Sequence, residues 1–356
     1  MQSKQYLKWK SHIVQTGRQN LVPVCGQFEL TPRCNLDCKM CYIHNQDSNK
    51  CKDRELSTQE WKRIFDEAYE MGLMFAGLTG GECLVREDFK ELYLHLWKKR
   101  VMISVLTNGT LVDDDYVDFF KTYPPEQIQI TLYGSSEENY LTVTGHRRFA
   151  KAVTAIQKLK EANVNFHVNV TPCKQNIKDY INTIQFIRNS GYEPSLTDLF
   201  LTPKLDDPEG TDHYLSADEI FTLSKERALL DGALTPVENP PSTGGDCSVP
   251  PQKGLVCNAG RGSACVTWEG IMYPCVDVRV GEGASLREMS YAEAWEKTKA
   301  AADTVVYGVE CVGCPYDKIC PQCPGIRLQG LHSGHCRPEI CEMAQRFVAA
   351  GIRKLD

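Results

Sequence analysis

Three cysteines lie close together near the start of the chain, at a spacing that suits an iron-sulfur cluster. Cys34, Cys38 and Cys41 form the pattern C-x3-C-x2-C and follow the apolar, β-prone run from Phe28 to Thr31. Thiolates are soft ligands, and three of them on one loop can bind a four-iron cluster while one iron has no protein ligand. An open iron indicates a reactive site. A structural zinc loop, or reduced cysteines in a core, is the plainer alternative.

A second candidate site combines two glycines with an acidic residue. Gly80, Gly81 and Glu82 follow an apolar run that ends at Thr79 and is predicted to be a strand. Paired glycines expose backbone N–H and C=O groups with no side chain in the way, and the carboxylate adds an acceptor. Such acceptors suit a ligand that carries a cationic amine. A plain turn is the alternative.

A further set of cysteines occupies the C-terminal third of the chain. Eight cysteine ligands can hold two four-iron clusters in which every iron has a protein ligand. This segment of about a hundred residues has little apolar material for a core, so metal crosslinks would supply much of its stability. A zinc ribbon built from its two C-x2-C pairs is the alternative. The set comprises Cys257, Cys265, Cys275, Cys311, Cys314, Cys320, Cys323, Cys336 and Cys341.

The segments that must position these residues alternate between β-prone and amphipathic helical runs from Phe28 onward. This alternation is typical of repeated strand-helix units with a parallel sheet. Right-handed crossovers bring the loops after the strands to one rim, so we expect the first cysteine loop and the two glycines there. The predicted strands lie near residues 27–32, 74–79, 102–107, 127–133, 165–171 and 196–202, and the predicted helices near 57–71, 88–99, 113–121, 149–162 and 177–190.

Two local signals define the ends of helices and of the first large unit. Ser57 and Glu60 have the spacing of a capping box, which predicts a helix start at Ser57. A helix is also predicted from Ser216 to Leu230, ahead of a Pro- and Gly-rich linker at residues 240–245. We therefore expect a domain boundary near residue 240.

Composition excludes several classes of protein. The 356 residues carry a formal net charge of −6 and no long basic block, so we expect no nucleic-acid partner. The first thirty residues lack the apolar core of a signal peptide, and no run reaches the ~18 apolar residues that span a bilayer. We expect a cytoplasmic protein with no membrane partner. In that reducing compartment the 17 cysteines are metal ligands or free thiols rather than disulfides.

Together the cysteine motif at Cys34 and the later Gly80-Gly81-Glu82 strongly resemble the radical S-adenosylmethionine (SAM) superfamily. The C-terminal cysteines, with Cys257 and the Gly270-x4-Cys275 pattern, resemble the SPASM extension of peptide-modifying members. The resemblance implies an α/β fold, with a partial (β/α)6 TIM-like barrel followed by a small cysteine-rich SPASM domain. We expect a short N-terminal extension at residues 1–25, the barrel at 26–240 and the SPASM domain at 241–356.

The same resemblance implies the cofactors and the residues that contact them. The cofactors are SAM and three 4Fe-4S clusters, one of which binds SAM at Cys34, Cys38 and Cys41 while the other two are auxiliary. Gly80, Gly81 and Glu82 would hold the SAM amine. Arg147, or the adjacent Arg148, would pair with its carboxylate. The remaining SAM contacts are assigned to Met40, Tyr42, Asn108, Ser135 and Ser136.

The auxiliary ligands and the catalytic candidates also follow from the resemblance. A hairpin from Val266 to Tyr273 is expected between ligands, Asp277 is a candidate base, and the thiol of Cys83 is a candidate catalytic group. The Cys320-x2-Cys323 gap is one residue shorter than usual and Cys265 is an extra cysteine, so the ligand sets stay open. The nearer set is Cys257, Cys265, Cys275 and Cys323, and the outer set is Cys311, Cys314, Cys320 and Cys341, with Cys336 as the alternative to Cys341.

These assignments imply a radical SAM/SPASM maturase, an oxidoreductase that reductively cleaves SAM to a 5′-deoxyadenosyl radical. The radical would take hydrogen from a peptide and so install a crosslink, an oxidation or an epimerisation. The expected partners are a peptide or protein substrate and a reductant such as flavodoxin or ferredoxin. One alternative is a protein Ser/Cys dehydrogenase similar to sulfatase-maturing enzymes, and another is a non-catalytic iron-sulfur electron-transfer protein.

Overall fold

A computed structural model describes residues 3–43, 51–196, 212–234, 254–255, 257–305, 314–316, 320, 323 and 338–353. The predicted linker at 240–245 and most of the sixth predicted strand lie outside the described residues. The strands are β1 Cys25–Glu29, β2 Phe75–Thr79, β3 Met102–Thr107, β4 Gln127–Thr131, β5 Phe166–Val170, β6 Ser195–Leu196, β7 Ser263–Val266, β8 Ile271–Tyr273 and β9 Ala284–Ser285. The helices are α1 Lys4–Gln19, α2 Thr58–Glu70, α3 Phe89–Lys98, α4 Asp114–Thr122, α5 Glu137–Thr144, α6 Phe149–Glu161, α7 Tyr180–Asn189, α8 Ala217–Leu230, α9 Tyr291–Asp303 and α10 Pro338–Ala349.

The sheet confirms the predicted α/β fold class. Its strand order is β6-β5-β4-β3-β2-β1-β7-β8-β9, and every pair from β6 to β7 is parallel. Six strands in sequential order, with helices between most of them, are the expected arrangement of the partial barrel. Each predicted strand overlaps an observed one, and the side chain of Ser57 caps α2 in the predicted capping box.

Side chains on the strands alternate between the helical layer and the interior of the barrel. Phe28 on β1 packs against Phe65 and Trp61 of α2, with ring centroids 5.0 and 6.1 Å apart. The neighbouring Gln27 and Glu29 therefore face the opposite side, which is the barrel interior. Part of this interior is a cavity of about 240 Å³.

Helix α1 covers the end of the barrel opposite to the cysteine loop. The hydroxyl of Tyr6 donates a hydrogen bond of 2.8 Å to Glu126, which directly precedes β4, and Lys10 pairs with the same carboxylate. Segment 1–25 was expected to be a short extension, and its helix was not predicted because these contacts are distant in sequence. No helix among the described residues is long and apolar enough to cross a membrane.

The C-terminal segment continues the sheet of the barrel. Strand β7 pairs in parallel with β1, with Cys25 opposite Ser263. Strands β7 and β8 form the antiparallel hairpin that was expected between Val266 and Tyr273. Helix α9 packs beside α2, and α10 packs beside α8. The domain boundaries and the SPASM assignment stay predictions.

Candidate active site at the rim of the barrel

The three cysteines of the first motif lie together on the loop that follows β1. Burial raises the pKa of Cys34 to about 12, and the negative charges of Glu82 and Cys41 add to the effect. Burial also raises the pKa of Cys38, and the charges of Cys41 and Cys34 add to it. The three sulfurs are therefore near enough to repel one another as thiolates. A bound cation would remove this repulsion.

The donor set fits an iron-sulfur cluster better than a single metal ion. Among the described residues, no three His, Cys, Asp or Glu side chains converge on one ion. In a cluster each thiolate binds a different iron, so the sulfurs need not converge on one point. The sulfur of Cys34 accepts the Leu36 N–H at 3.4 Å, which holds this side chain in place.

The two glycines allow the loop after β2 to pack directly on the cysteine loop. A Cβ on Gly80 would lie 2.3 Å from the Thr31 carbonyl oxygen, and one on Gly81 would lie 2.5 Å from that of Arg33. The Gly81 N–H donates to Thr31 at 2.7 Å, and the Glu82 N–H donates to Arg33 at 2.9 Å. Only glycine permits this approach at both positions.

The carboxylate of Glu82 is fully buried and joins the ends of β2 and β3. It accepts the Thr107 hydroxyl at 2.8 and 2.9 Å, the Asn108 N–H at 2.7 Å and the Leu84 N–H at 3.0 Å. Burial raises the pKa of Glu82, and these donors offset part of the rise. The contact of this side chain with the SAM amine stays a prediction.

Asn108 connects the end of β3 to the cysteine loop, as its predicted place near the cofactor requires. Its amide nitrogen donates to Asn35 at 2.8 Å and lies 3.8 Å from the Cys34 sulfur. Its oxygen accepts the N–H and the hydroxyl of Thr110 at 2.9 and 2.7 Å. Three strand-end loops, those after β1, β2 and β3, thus meet around Cys34.

The two serines after β4 already have protein partners. The N–H and hydroxyl of Ser135 both donate to Asp179 at 2.7 Å, and the hydroxyl of Ser136 caps α5. Arg147 is exposed and has no ion pair among the described residues, whereas the charge of Arg148 acts on buried Tyr140. Arg147 is thus the more available of the two cations.

Tyr42 reaches a buried carboxylate that was not singled out in the sequence. Its hydroxyl donates to Glu29 at 2.7 Å, and the guanidinium of Arg279 donates to the same oxygen at 2.7 Å. Glu29 is 0% exposed, and burial raises its pKa while the positive charge of Arg279 offsets part of the rise. The sequence signal that could have identified Glu29 is an acidic residue inside the apolar run before Cys34.

Met40, which was predicted to contact SAM, is buried against Val143 and Cys173.

The described auxiliary cysteines form two groups. Burial raises the pKa of Cys275 to about 12, with further contributions from Asp277, Cys323 and Cys257, so these four residues are neighbours. The buried thiol of Cys265 faces Glu29, and the charges of Cys275 and Asp277 also raise its pKa, so Cys265 lies beside this group. Cys311 and Cys336 lie outside the described residues. The second group, Cys314 and Cys320, packs with Tyr316 against Ala344 and Val348 of α10, the helix that also carries Cys341.

The two catalytic candidates differ in their position. Asp277 has a carboxylate oxygen 4.0 Å from the Cys275 sulfur and so lies beside the auxiliary cysteines. Cys83 is 0% exposed within the hydrophobic core, and its sulfur lies 3.4 Å from the carbonyl oxygen of Leu106. The structure thus places Cys83 in the packed core of the protein.

Comparisons with known proteins agree with this geometry. A family model described as Radical SAM superfamily matches residues 28–187. An AdoMet-dependent heme synthase from Methanosarcina barkeri is 25% identical over 318 residues, which cover 83% of this chain and 89% of that relative. A PqqA peptide cyclase from Granulibacter bethesdensis is 30% identical over 152 residues, which cover 42% of this chain but only 40% of that relative.

Solved structures support the fold. The crystal structure of Streptococcus suis SuiB has a TM-score of 0.66 and 15% identity, and the match covers 96% of this chain and 83% of that one. At this identity the likeness concerns the fold alone. Residues 28–187, whose strand-end loops bring the three cysteines together, are a radical SAM domain.

Proposed function

We propose that this chain is a radical SAM maturase that modifies a peptide substrate. The observation that carries the proposal is the meeting of three strand-end loops around Cys34, where Asn108 contacts both Asn35 and the sulfur. The partial match to a peptide cyclase supports a peptide as the substrate. The finer reaction, a crosslink, an oxidation or an epimerisation, is part of this proposal.

Cys34, Cys38 and Cys41 would hold the cluster that binds SAM. When bound, the cluster and SAM supply a one-electron reduction that releases a 5′-deoxyadenosyl radical, which takes hydrogen from carbon. The protein orients the Cys34 sulfur through the Leu36 N–H and the Asn108 amide. Gly80, Gly81 and Glu82 would hold the SAM amine, with the Glu82 carboxylate fixed by the Thr107 hydroxyl and by the N–H groups of Leu84 and Asn108.

The C-terminal cysteines support the SPASM assignment and an oxidative outcome. The predicted ligands Cys257, Cys265, Cys275 and Cys323 would hold an auxiliary cluster, whose chemistry is to accept an electron from the substrate. The carboxylate of Asp277, beside Cys275, can take up the substrate proton that accompanies this electron. Loss of one hydrogen atom, one proton and one electron together equals a two-electron oxidation.

A tetrapyrrole-modifying enzyme is the second candidate. A match that covers 83% of this chain and 89% of the relative is to an AdoMet-dependent heme synthase, so it extends beyond residues 28–187 of this chain. This reading predicts SAM-dependent loss of mass from an iron coproporphyrin and no change in any peptide.

The test compares the two substrate classes directly. Anaerobically reconstituted protein is incubated with SAM, dithionite and either a synthetic peptide encoded beside the gene or iron coproporphyrin III. Mass spectrometry then follows both compounds, with SAM omitted as the control. A loss of two mass units from the peptide supports the proposal. An unchanged mass in ordinary water, combined with deuterium uptake from deuterated water, also supports it, because that is the result expected for epimerisation. A change confined to the porphyrin contradicts it.

The cluster loop is tested by mutation. Replacing Cys34, Cys38 and Cys41 together by alanine should abolish 5′-deoxyadenosine formation while iron bound by the C-terminal cysteines is retained. Cys25→Ala, on β1 but outside the motif, is the matched control and should leave SAM cleavage in place. SAM cleavage by the triple variant would show that the loop is not the cofactor site.

A further inference from the structure

Two buried oxygen atoms inside the barrel accept no hydrogen bond from an N–H or O–H group of the described residues, although the thiol of Cys265, a weak donor, faces Glu29. They are Oε2 of Glu29 and Oδ1 of Asn169, whose side chains are 0% and 3% exposed. A buried acceptor without a donor is costly, and such groups in native proteins are usually satisfied by a partner or a ligand. They lie on β1 and β5, with β2, β3 and β4 between them, so each offers an open acceptor to a ligand that spans the interior of the barrel.

Both side chains face the interior of the barrel and not the helical layer. Phe28, next to Glu29, packs on α2, and Val168 and Val170, on either side of Asn169, belong to the hydrophobic core. Successive side chains of a strand point to opposite faces, so Glu29 and Asn169 lie on the inner face.

The unpartnered oxygen of Glu29 is fixed in position close to the cysteine loop. Its other oxygen accepts hydrogen bonds of 2.7 Å from both Tyr42 and Arg279. Tyr42 directly follows Cys41, so the free oxygen lies near the place where hydrogen would be taken from a substrate. Because the carboxylate cannot rotate away, it offers a preorganised acceptor.

The remainder of the inner wall is mixed, with amides beside Ser104 and Leu106 on β3 and His167 on β5, whose pKa is lowered by burial. Gln27 on β1 and Gln129 on β4 occupy inward positions of their strands. The described cations near this wall are paired, Arg279 with Glu29 and Lys10 with Glu126. This wall suits the N–H and C=O groups of a peptide, and it offers no unpaired cation, among the described residues, to the carboxylates of a tetrapyrrole.

We propose that Glu29 and Asn169 form a peptide-binding subsite inside the barrel, in which Glu29 Oε2 accepts a substrate N–H. The amide of Asn169 can turn either way and so can pair with either side of a peptide group. This assignment rests on the proposed function and gives its substrate a place on the inner wall.

The test measures peptide binding and not turnover. A fluorescein-labelled peptide encoded beside the gene is titrated with full-length reconstituted protein at saturating SAM, and anisotropy gives the dissociation constant. Asn169→Ala and Glu29→Gln should each weaken binding about tenfold, the loss expected for one hydrogen bond. In Glu29→Gln an acceptor becomes a donor, while one oxygen remains for Tyr42 and Arg279. Asn20→Ala, at the end of α1, is the matched control.

Two further measurements keep the outcomes distinct. Equilibrium dialysis should give the same affinity for SAM in each variant as in the unaltered protein. The temperature of unfolding should be unchanged in Asn169→Ala and lower in Glu29→Gln, which weakens the buried ion pair with Arg279. Weaker SAM binding would assign these acceptors to the cofactor and overturn the proposal, as would unchanged peptide affinity in both variants. Failure of the unaltered protein to bind the peptide at all would instead contradict the proposed function itself.

Discussion

Replacing Glu82 by alanine tests whether this residue holds the protein together or serves only the cofactor. The motif resemblance assigns Glu82 to the SAM amine, whereas in the structure its carboxylate is 0% exposed and accepts hydrogen bonds from Thr107, Asn108 and Leu84. These two roles predict different results in protein without iron or SAM. We expect a loss of stability there.

The expected magnitude follows from the donors that would lose their acceptor. The N–H groups of Leu84 and Asn108 would stay buried without a partner, whereas the Thr107 hydroxyl can rotate toward another acceptor. Each stranded N–H costs about 1–3 kcal/mol, so the free energy of unfolding should fall by roughly 2–6 kcal/mol. This is a large fraction of the ~5–15 kcal/mol typical of a domain.

The assay is urea unfolding of iron-free protein, followed by tryptophan fluorescence. Glu87→Ala is the matched control, because this neighbouring carboxylate is exposed and its removal should change stability by less than about 0.5 kcal/mol. An unfolding midpoint for Glu82→Ala equal to that of Glu87→Ala, combined with lost SAM binding in reconstituted protein, would refute the structural role.

Three other substitutions have definite expected outcomes. Gly81→Ala places a Cβ 2.5 Å from the Arg33 carbonyl oxygen, so the loops must separate and the iron content after reconstitution should fall. Arg86→Met removes a buried guanidinium that pairs with the buried side chain of Glu55 and with half-buried Asp88, so urea unfolding should show a loss of about 3–5 kcal/mol, and a neutral result would contradict the ion pairs. Ser57→Ala removes the cap of α2 and should cost about 1 kcal/mol in the same assay.

Local signals were sufficient to predict most of the barrel. The start of α2 at Ser57 and the end of β3 at Thr107 depend on capping and alternation, which act over a few residues. Helix α1 was not predicted, because its contacts with Glu126 join residues more than a hundred positions apart. Propensity and periodicity carry no information on such contacts.

The candidate site shows the same division. The cysteine spacing identified the loop, because metal ligands on one loop are close in sequence. The role of Glu82 as an acceptor for Asn108 was not predictable, since it requires β2 and β3 to be neighbours. Glu29 was missed for a related reason: its partner Arg279 lies 250 residues away along the chain.

The pairing of β1 with β7 has a consequence for how the protein is made. Cys25 lies opposite Ser263 in the sheet and its N–H donates to the Gly262 carbonyl at 3.0 Å, so nearly 240 residues must leave the ribosome between them. Until then one side of the nascent barrel presents unpaired backbone groups, which invite aggregation. Polypeptides truncated before residue 263 would keep that open edge, and a chaperone that shields it would favour correct folding.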